Sequence, residues 1–219
     1  WRWLARCVFT AAVPVTAGTA LLLGFTGEGP TDLPITVDYG SVEVLAAAML
    51  VIVLLVPLQS VAEEMTLRGM VMQLVGSLGS PDGDSAFSRV LRSPWPAILA
   101  GGTLFAALYA ATHPGDAWNT AALAVLGLGM AWVTWRTGGL EAAIGLHVVN
   151  SLVQFGVCAV EGRLDEVGTG VVLGGGLPLG TNTPMTLALA VVQVGLYLLL
   201  VGAMARRHGV RRRSATSQV

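Results

Sequence analysis

Two carboxylates, an arginine, two histidines and a carboxamide stand inside otherwise apolar stretches of this chain. They are Glu63, Glu64, Arg68, His113, His147 and Asn150, with Ser151 beside the last. Ionisable groups at membrane depth are expensive, so each needs a partner or a task. Glu64 and Arg68 are four residues apart, acid first, which puts them on one helix face as a pair. Glu63 points away from that pair and has no cation on its own helix. A carboxylate in such a place suits general-base work. His147 has Asn150 three residues on and Ser151 four on, both flanking its face of a helix.

Two chemistries fit this set. In the first, a glutamate base and a histidine activate water beside a carbonyl, while a histidine and a carboxamide donate to the developing oxyanion. In the second, Glu63, His113 and His147 hold a divalent metal such as zinc, with an open position for water. The soluble His-Glu-x-x-His zinc signature is absent. The plain alternatives are an interfacial charge cluster that ends a span at Glu63-Glu64, a helix end at His113-Pro114, and a packing hydrogen bond at His147.

The elements that must position these residues are membrane helices. Of the 219 residues, 11% are charged and 54% hydrophobic, and the mean hydropathy is +0.71. Soluble domains carry roughly 25% charge, so a cytosolic globular domain, a nucleic-acid binder and a disordered tail are excluded. Two cysteines, Cys7 and Cys158, exclude a disulfide-stapled module and read as small core residues.

Six stretches approach the roughly 20 apolar residues that a helical span needs: 3–25, 42–62, 94–113, 118–136, 139–160 and 184–205. The expected fold is all-α, a polytopic bundle of about six membrane helices plus a motif-bearing helix after the second span. It is read as one integral membrane domain over 1–219, with a basic tail at 206–219. Residues 78–92 read as a Ser/Gly/Asp turn region and 161–183 as a long Gly-rich outer loop. All twelve basic residues are arginine. With both termini cytoplasmic, every loop and tail arginine but Arg163 falls inside.

The motifs together resemble the CPBP family of intramembrane proteases, the CAAX-protease and bacteriocin-processing or ABI family. Glu63-Glu64-Met-Thr-Leu-Arg68 matches its EExxxR motif, with Gly69 following. Tyr109-Ala-Ala-Thr-His113 matches FxxxH with Tyr in place of Phe. The third motif is HxxxN; here His147 is followed by Asn150 at the third position and Ser151 at the fourth. The likeness covers about residues 57–155.

It implies peptide-bond hydrolysis at membrane depth, on a membrane-anchored or membrane-embedded substrate in a bacterial cell membrane. Glu63 and His113 would activate water. His147 and Asn150 would stabilise the tetrahedral intermediate, Asn150 being favoured over Ser151 as the better donor. Glu64 and Arg68 would hold the site together, and Tyr109 would pack beside it. The family is described both as metal-dependent and as glutamate-dependent, and the sequence fits either.

The simple spans put Glu63 and Glu64 near the inner face and His113 near the outer, roughly 30 Å apart. His147 lies about 12 Å into its helix. For the site to assemble, Pro57 is expected to break the second span, leaving 58–77 as a separate helix that carries the glutamates inward. Glu63, His113 and His147 are then expected within roughly 10 Å, direct or water-bridged reach. Two rival functions share the residues. A non-catalytic scaffold or immunity protein would survive loss of Glu63 and His147. A proton-coupled transporter would need an acidic path that the fourth and sixth spans lack.

Overall fold

A computed structural model of the chain describes residues 1–26, 42–79, 85–112, 117–160 and 183–210. Among them all regular structure is helical. Helix α1 is Arg2–Thr26 and α2 is Val42–Glu64. A π-helical segment, Met65–Val71, continues α2 directly into the short α3, Met72–Gly76. Then come α4 (Ala86–Arg92), α5 (Trp95–Thr112), α6 (Ala117–Thr137), α7 (Glu141–Val160) and α8 (Pro184–Arg207).

All six expected spans are helices. Among the described residues, four helices are long and apolar enough to cross a bilayer, Val42–Gly76, Ala117–Thr137, Glu141–Val160 and Pro184–Arg207, with a fifth if α4 and α5, bent by 61°, count as one.

Two expectations are corrected. The turn region at 78–92 ends in helix α4, whose first turn is capped by Ser85 Oγ accepting from Ser88 N at 3.1 Å. The second span does not break at Pro57, which lies inside α2. Proline there removes one N–H from the helix ladder, a loss that neighbouring groups in a membrane bundle make good. The irregularity falls later, in the π-helical segment, whose wider i→i+5 turns re-aim the side chains of this stretch. The run Val42–Gly76 has 35 residues. That is roughly 50 Å at 1.5 Å per residue, longer than the roughly 30 Å apolar layer. The Gly-rich loop expected at 161–183 lies almost wholly outside the described residues, as do tail residues 211–219.

The main core is shared by α1, α6, α7 and α8, where Cys7, Leu126, Met130, Leu146 and Tyr197 interdigitate. Tyr197 is wholly buried and donates its hydroxyl to Ala142 O at 2.7 Å. Cys7 and Cys158 are both buried and neither is in a disulfide. Helix α2 packs on α7 through Ile52, Val56 and Ala159. Its far side, with Leu50, Val51, Leu54, Leu55 and Leu58, is left exposed, as a lipid-facing stripe is.

Helices α5 and α6 cross at Gly102 and Gly127, where a Cβ on Gly127 would sit on the Gly102 carbonyl oxygen. Such contacts let membrane helices approach backbone to backbone. Gly127→Ala is therefore expected to force α5 and α6 apart and cost about 1–3 kcal/mol. Gly156→Ala, on α7 with nothing within 4 Å of the added carbon, is the matched control. Thermal unfolding in lipid nanodiscs should show a lower melting point for the first and none for the second.

Candidate active site

The site is built where the end of α2 meets the middle of the bundle. Gln59 and Glu63 sit four residues apart on α2, as do Glu64 and Arg68 across the start of the π-helical segment, so the run offers two adjacent polar faces. The Glu64–Arg68 face is the buried one, at 0% and 2% exposure. A charge without water must be paired. Arg68 Nη1 donates to Glu64 Oε1 at 2.9 Å, and Nη2 reaches Gly127 O on α6 at 3.4 Å. The expected intrahelical pair is present.

His147 enters from α7 and is 3% exposed. Its Nδ1 is 2.6 Å from Glu64 Oε1, the same oxygen that Arg68 holds. An ionised carboxylate only accepts, so Nδ1–H is the donor and Nε2 is the nitrogen turned outward from Glu64. Nε2 lies 3.7 Å from Glu63 Oε2, beyond hydrogen-bond length. Glu63 Oε1 accepts from Gln59 Nε2 at 2.9 Å, while buried Oε2 has no hydrogen-bond partner. One imidazole thus stands between two carboxylates, each facing a different ring nitrogen. The Phe105 ring of α5 meets that imidazole edge-on, with centroids 6.5 Å apart and planes at 78°, which fixes the ring plane from the side.

The remaining expected residues are placed as follows. Asn150 and Ser151 are buried on α7, at 3% and 2% exposure. Asn150 Oδ1 accepts from Gln193 Nε2 of α8 at 3.1 Å. Tyr109 packs on the cluster of Leu67, Phe105, Ala106 and Leu123, next to the site. His113 lies outside the described residues, since α5 is described only to Thr112. Of the three side chains expected to converge, Glu63 and His147 do so. They meet without the break at Pro57, because His147 lies near the start of its helix, at the level the glutamates already occupy.

Sequence reading missed Gln59, Phe105, Gly127 and Gln193. Gln59 is four residues before Glu63, and Phe105 four before Tyr109, so helical spacing carried a signal for both. Gln193 is polar within an apolar span, but nothing in its own helix names Asn150. Gly127 acts through its carbonyl, which no residue type reveals. Among the described residues no three His, Cys, Asp or Glu side chains are arranged to hold a metal ion. Glu63 Oε2 and His147 Nε2 together provide two donors of the set Glu63, His113 and His147.

The profile of the family described as type II CAAX prenyl endopeptidase Rce1-like matches residues 45–153. Uncharacterized protein YyaK of Bacillus subtilis (strain 168) is 33% identical over 113 residues, 49% of this chain and 32% of that protein. The match thus reaches about a third of the curated relative's length. No solved structure matches the chain. The matched stretch holds Glu63, Glu64, Arg68, Phe105 and His147, every residue of the paired cluster, and on it the chain belongs to the Rce1-like, CAAX-protease family of integral membrane proteins.

Proposed function

We propose that this chain is an intramembrane endopeptidase, working on a membrane-anchored or membrane-embedded peptide. The observation that carries the reading is the imidazole of His147 set between Glu64 Oε1 and Glu63 Oε2 in the interior of a membrane bundle. Glu63 Oε2 takes a proton from water as the oxygen attacks the scissile carbonyl. His113, which follows Thr112 in the sequence, shares that water. The oxyanion is met by Asn150 Nδ2–H and by His147 Nε2–H, a role that requires His147 as the imidazolium, with a proton on Nε2 as well as the one that Nδ1 donates to Glu64. Collapse breaks the C–N bond, and Glu63 returns its proton to the leaving amine, so the base is restored. Glu64 holds Nδ1 and thereby aims Nε2, while Arg68 holds Glu64 in place. Ser151 and Tyr109 shape the surroundings.

The whole chain, 1–219, serves as one domain in a bacterial cell membrane, with both termini cytoplasmic as the arginine distribution favours. A zinc ion, if one joins, would take Glu63, His113 and His147 and would polarise the carbonyl or the water.

The test uses the purified chain in lipid nanodiscs with a farnesylated CAAX-type fluorogenic peptide, alongside mass spectrometry of peptides from host membranes. New peptide termini should form with the wild type and vanish with Glu63→Ala. Equal product with both proteins would hand the chain to the scaffold reading. A rate that falls with chelator and returns with zinc makes Glu63 and His147 metal ligands; an unmoved rate leaves Glu63 as the base.

A further inference from the structure

We infer that Gln59 is the positioning residue of the proposed base: its amide fixes the plane of the Glu63 carboxylate, so that the other oxygen faces His147. The inference rests on the peptidase reading above and goes beyond it by a residue that stands ahead of the three motifs.

The two oxygens of Glu63 are in different situations. Oε1 accepts from Gln59 Nε2 at 2.9 Å. Oε2 is buried without a hydrogen-bond partner and lies 3.7 Å from His147 Nε2. General-base work needs such a division. One oxygen is tied to the protein, and the other keeps its lone pairs for the proton it takes.

A glutamate does not orient itself. Its last torsion is broad and roughly two-fold, so an unheld carboxylate turns about that bond. Glu64 has no such freedom, being at 0% exposure and bonded to both Arg68 and His147. Glu63 stands at the edge of the cluster, its side chain 11% exposed, so packing does not enclose it on every side. Gln59 is on the outer side, exposed on α2. It precedes Glu63 by four residues, the spacing at which two side chains meet along one helix face. A hydrogen bond from the open side thus does for Glu63 what burial does for Glu64. A misplacement of about 1 Å at a reacting group is enough to cost a large factor in rate, which is what the hold prevents.

Two substitutions separate a donor from a space-filler. Gln59→Glu is nearest to glutamine in shape but has lost the amide donor. It repels Glu63 or shares a proton with it, and either takes the base from its place. Gln59→Met keeps the length and removes the donor. A filling role ranks Gln59→Glu nearest to the wild type, and a donor role ranks it last. The experiment measures kcat and KM in nanodiscs on the Glu63-dependent cleavage products identified by mass spectrometry of host membranes, with rates taken per folded molecule from thermal melts. Infrared difference spectra add a readout that needs no turnover. The band lost in Glu63→Gln is that of the Glu63 carboxyl group.

Gln59→Met is expected to lower kcat by about 10- to 100-fold, the range of a hydrogen bond to a charged group, with KM and melting point near the wild type. Gln59→Glu should lose more. In the Glu63→Gln background Gln59→Met should lower kcat no further, since no base is left to hold. The Glu63 infrared band should shift in Gln59→Met. If Gln59→Glu does not assemble, Gln59→Met, its double variant and the spectrum decide alone.

A Glu63 band that Gln59→Met leaves unmoved overturns the inference and leaves the peptidase reading standing. So do losses in KM or melting point instead of kcat, losses that persist in full without Glu63, or a Gln59→Glu rate near the wild type. No Glu63-dependent product from the wild type removes the peptidase reading and this inference with it.

Discussion

Glu63→Gln is expected to lower kcat by about 10³- to 10⁴-fold, the upper range for a general base, with the melting point of the protein nearly unchanged. The substitution keeps the shape of the side chain. The Gln59 amide can still donate to the new amide oxygen, replacing the bond now at 2.9 Å. What disappears is the proton acceptor opposite His147 Nε2. The stability effect is small because Glu63 Oε2 is a buried acceptor without a hydrogen-bond partner, and a neutral amide there relieves a carboxylate set beside Glu64. His147→Ala should cost kcat as severely, for a different reason: it removes the donor aimed by Glu64. Residues that act as a unit are not additive. The double variant Glu63→Gln, His147→Ala should therefore be little slower than either single one. Single-turnover rates on Glu63-dependent products check this. A double variant slower by the product of both losses would mean that the two side chains act in separate steps.

How much of this was legible before the fold was known differs from residue to residue. The Glu64–Arg68 pair was readable because it is local: four residues on one helix always meet. The six helical segments were readable because a bilayer sets a length and an apolarity that few other structures satisfy. The route by which Glu63 reaches His147 was not. Proline is the residue that most disfavours a helix interior, so Pro57 was expected to break the span, yet α2 runs through it. A π-helical turn has no strong residue signature, and Met65–Val71 reads as ordinary helix.

Long-range partners were hidden for a related reason. The contact between Gln193 and Asn150 joins residues 43 apart and that between Arg68 and Gly127 O joins residues 59 apart. In both, one partner is an uncharged side chain or a backbone carbonyl. Glu, Arg and His stand out in apolar segments by type, and Asn150 by its place beside His147, whereas Gln193 has no Glu, Arg or His near it in the sequence. Ser85, the cap of α4, was lost inside a stretch whose Ser, Gly and Asp content resembles a loop throughout.

Glu64→Leu and Arg68→Leu are each expected to destabilise the fold by about 3–5 kcal/mol, the usual loss when one partner of a buried ion pair is removed. Glu64→Leu leaves the buried guanidinium without its carboxylate, its Nη2 still reaching Gly127 O of α6 at 3.4 Å. Arg68→Leu leaves a carboxylate at 0% exposure against the imidazole of His147. The double variant Glu64→Leu, Arg68→Leu should recover most of that stability, since a buried ion pair replaced whole by apolar residues is often neutral or better. Activity should not recover with it. His147 Nδ1 has lost the oxygen at 2.6 Å that fixes its ring orientation, so Nε2 is no longer held toward Glu63. Chemical unfolding in mixed micelles gives the stabilities, and kcat on the Glu63-dependent products gives the rates. The pair is thereby assigned to orientation of the imidazole rather than to holding up the bundle. Should the double variant regain activity along with stability, Glu64 would be structural only, and the aiming of His147 would have to come from Phe105 and the packing around it.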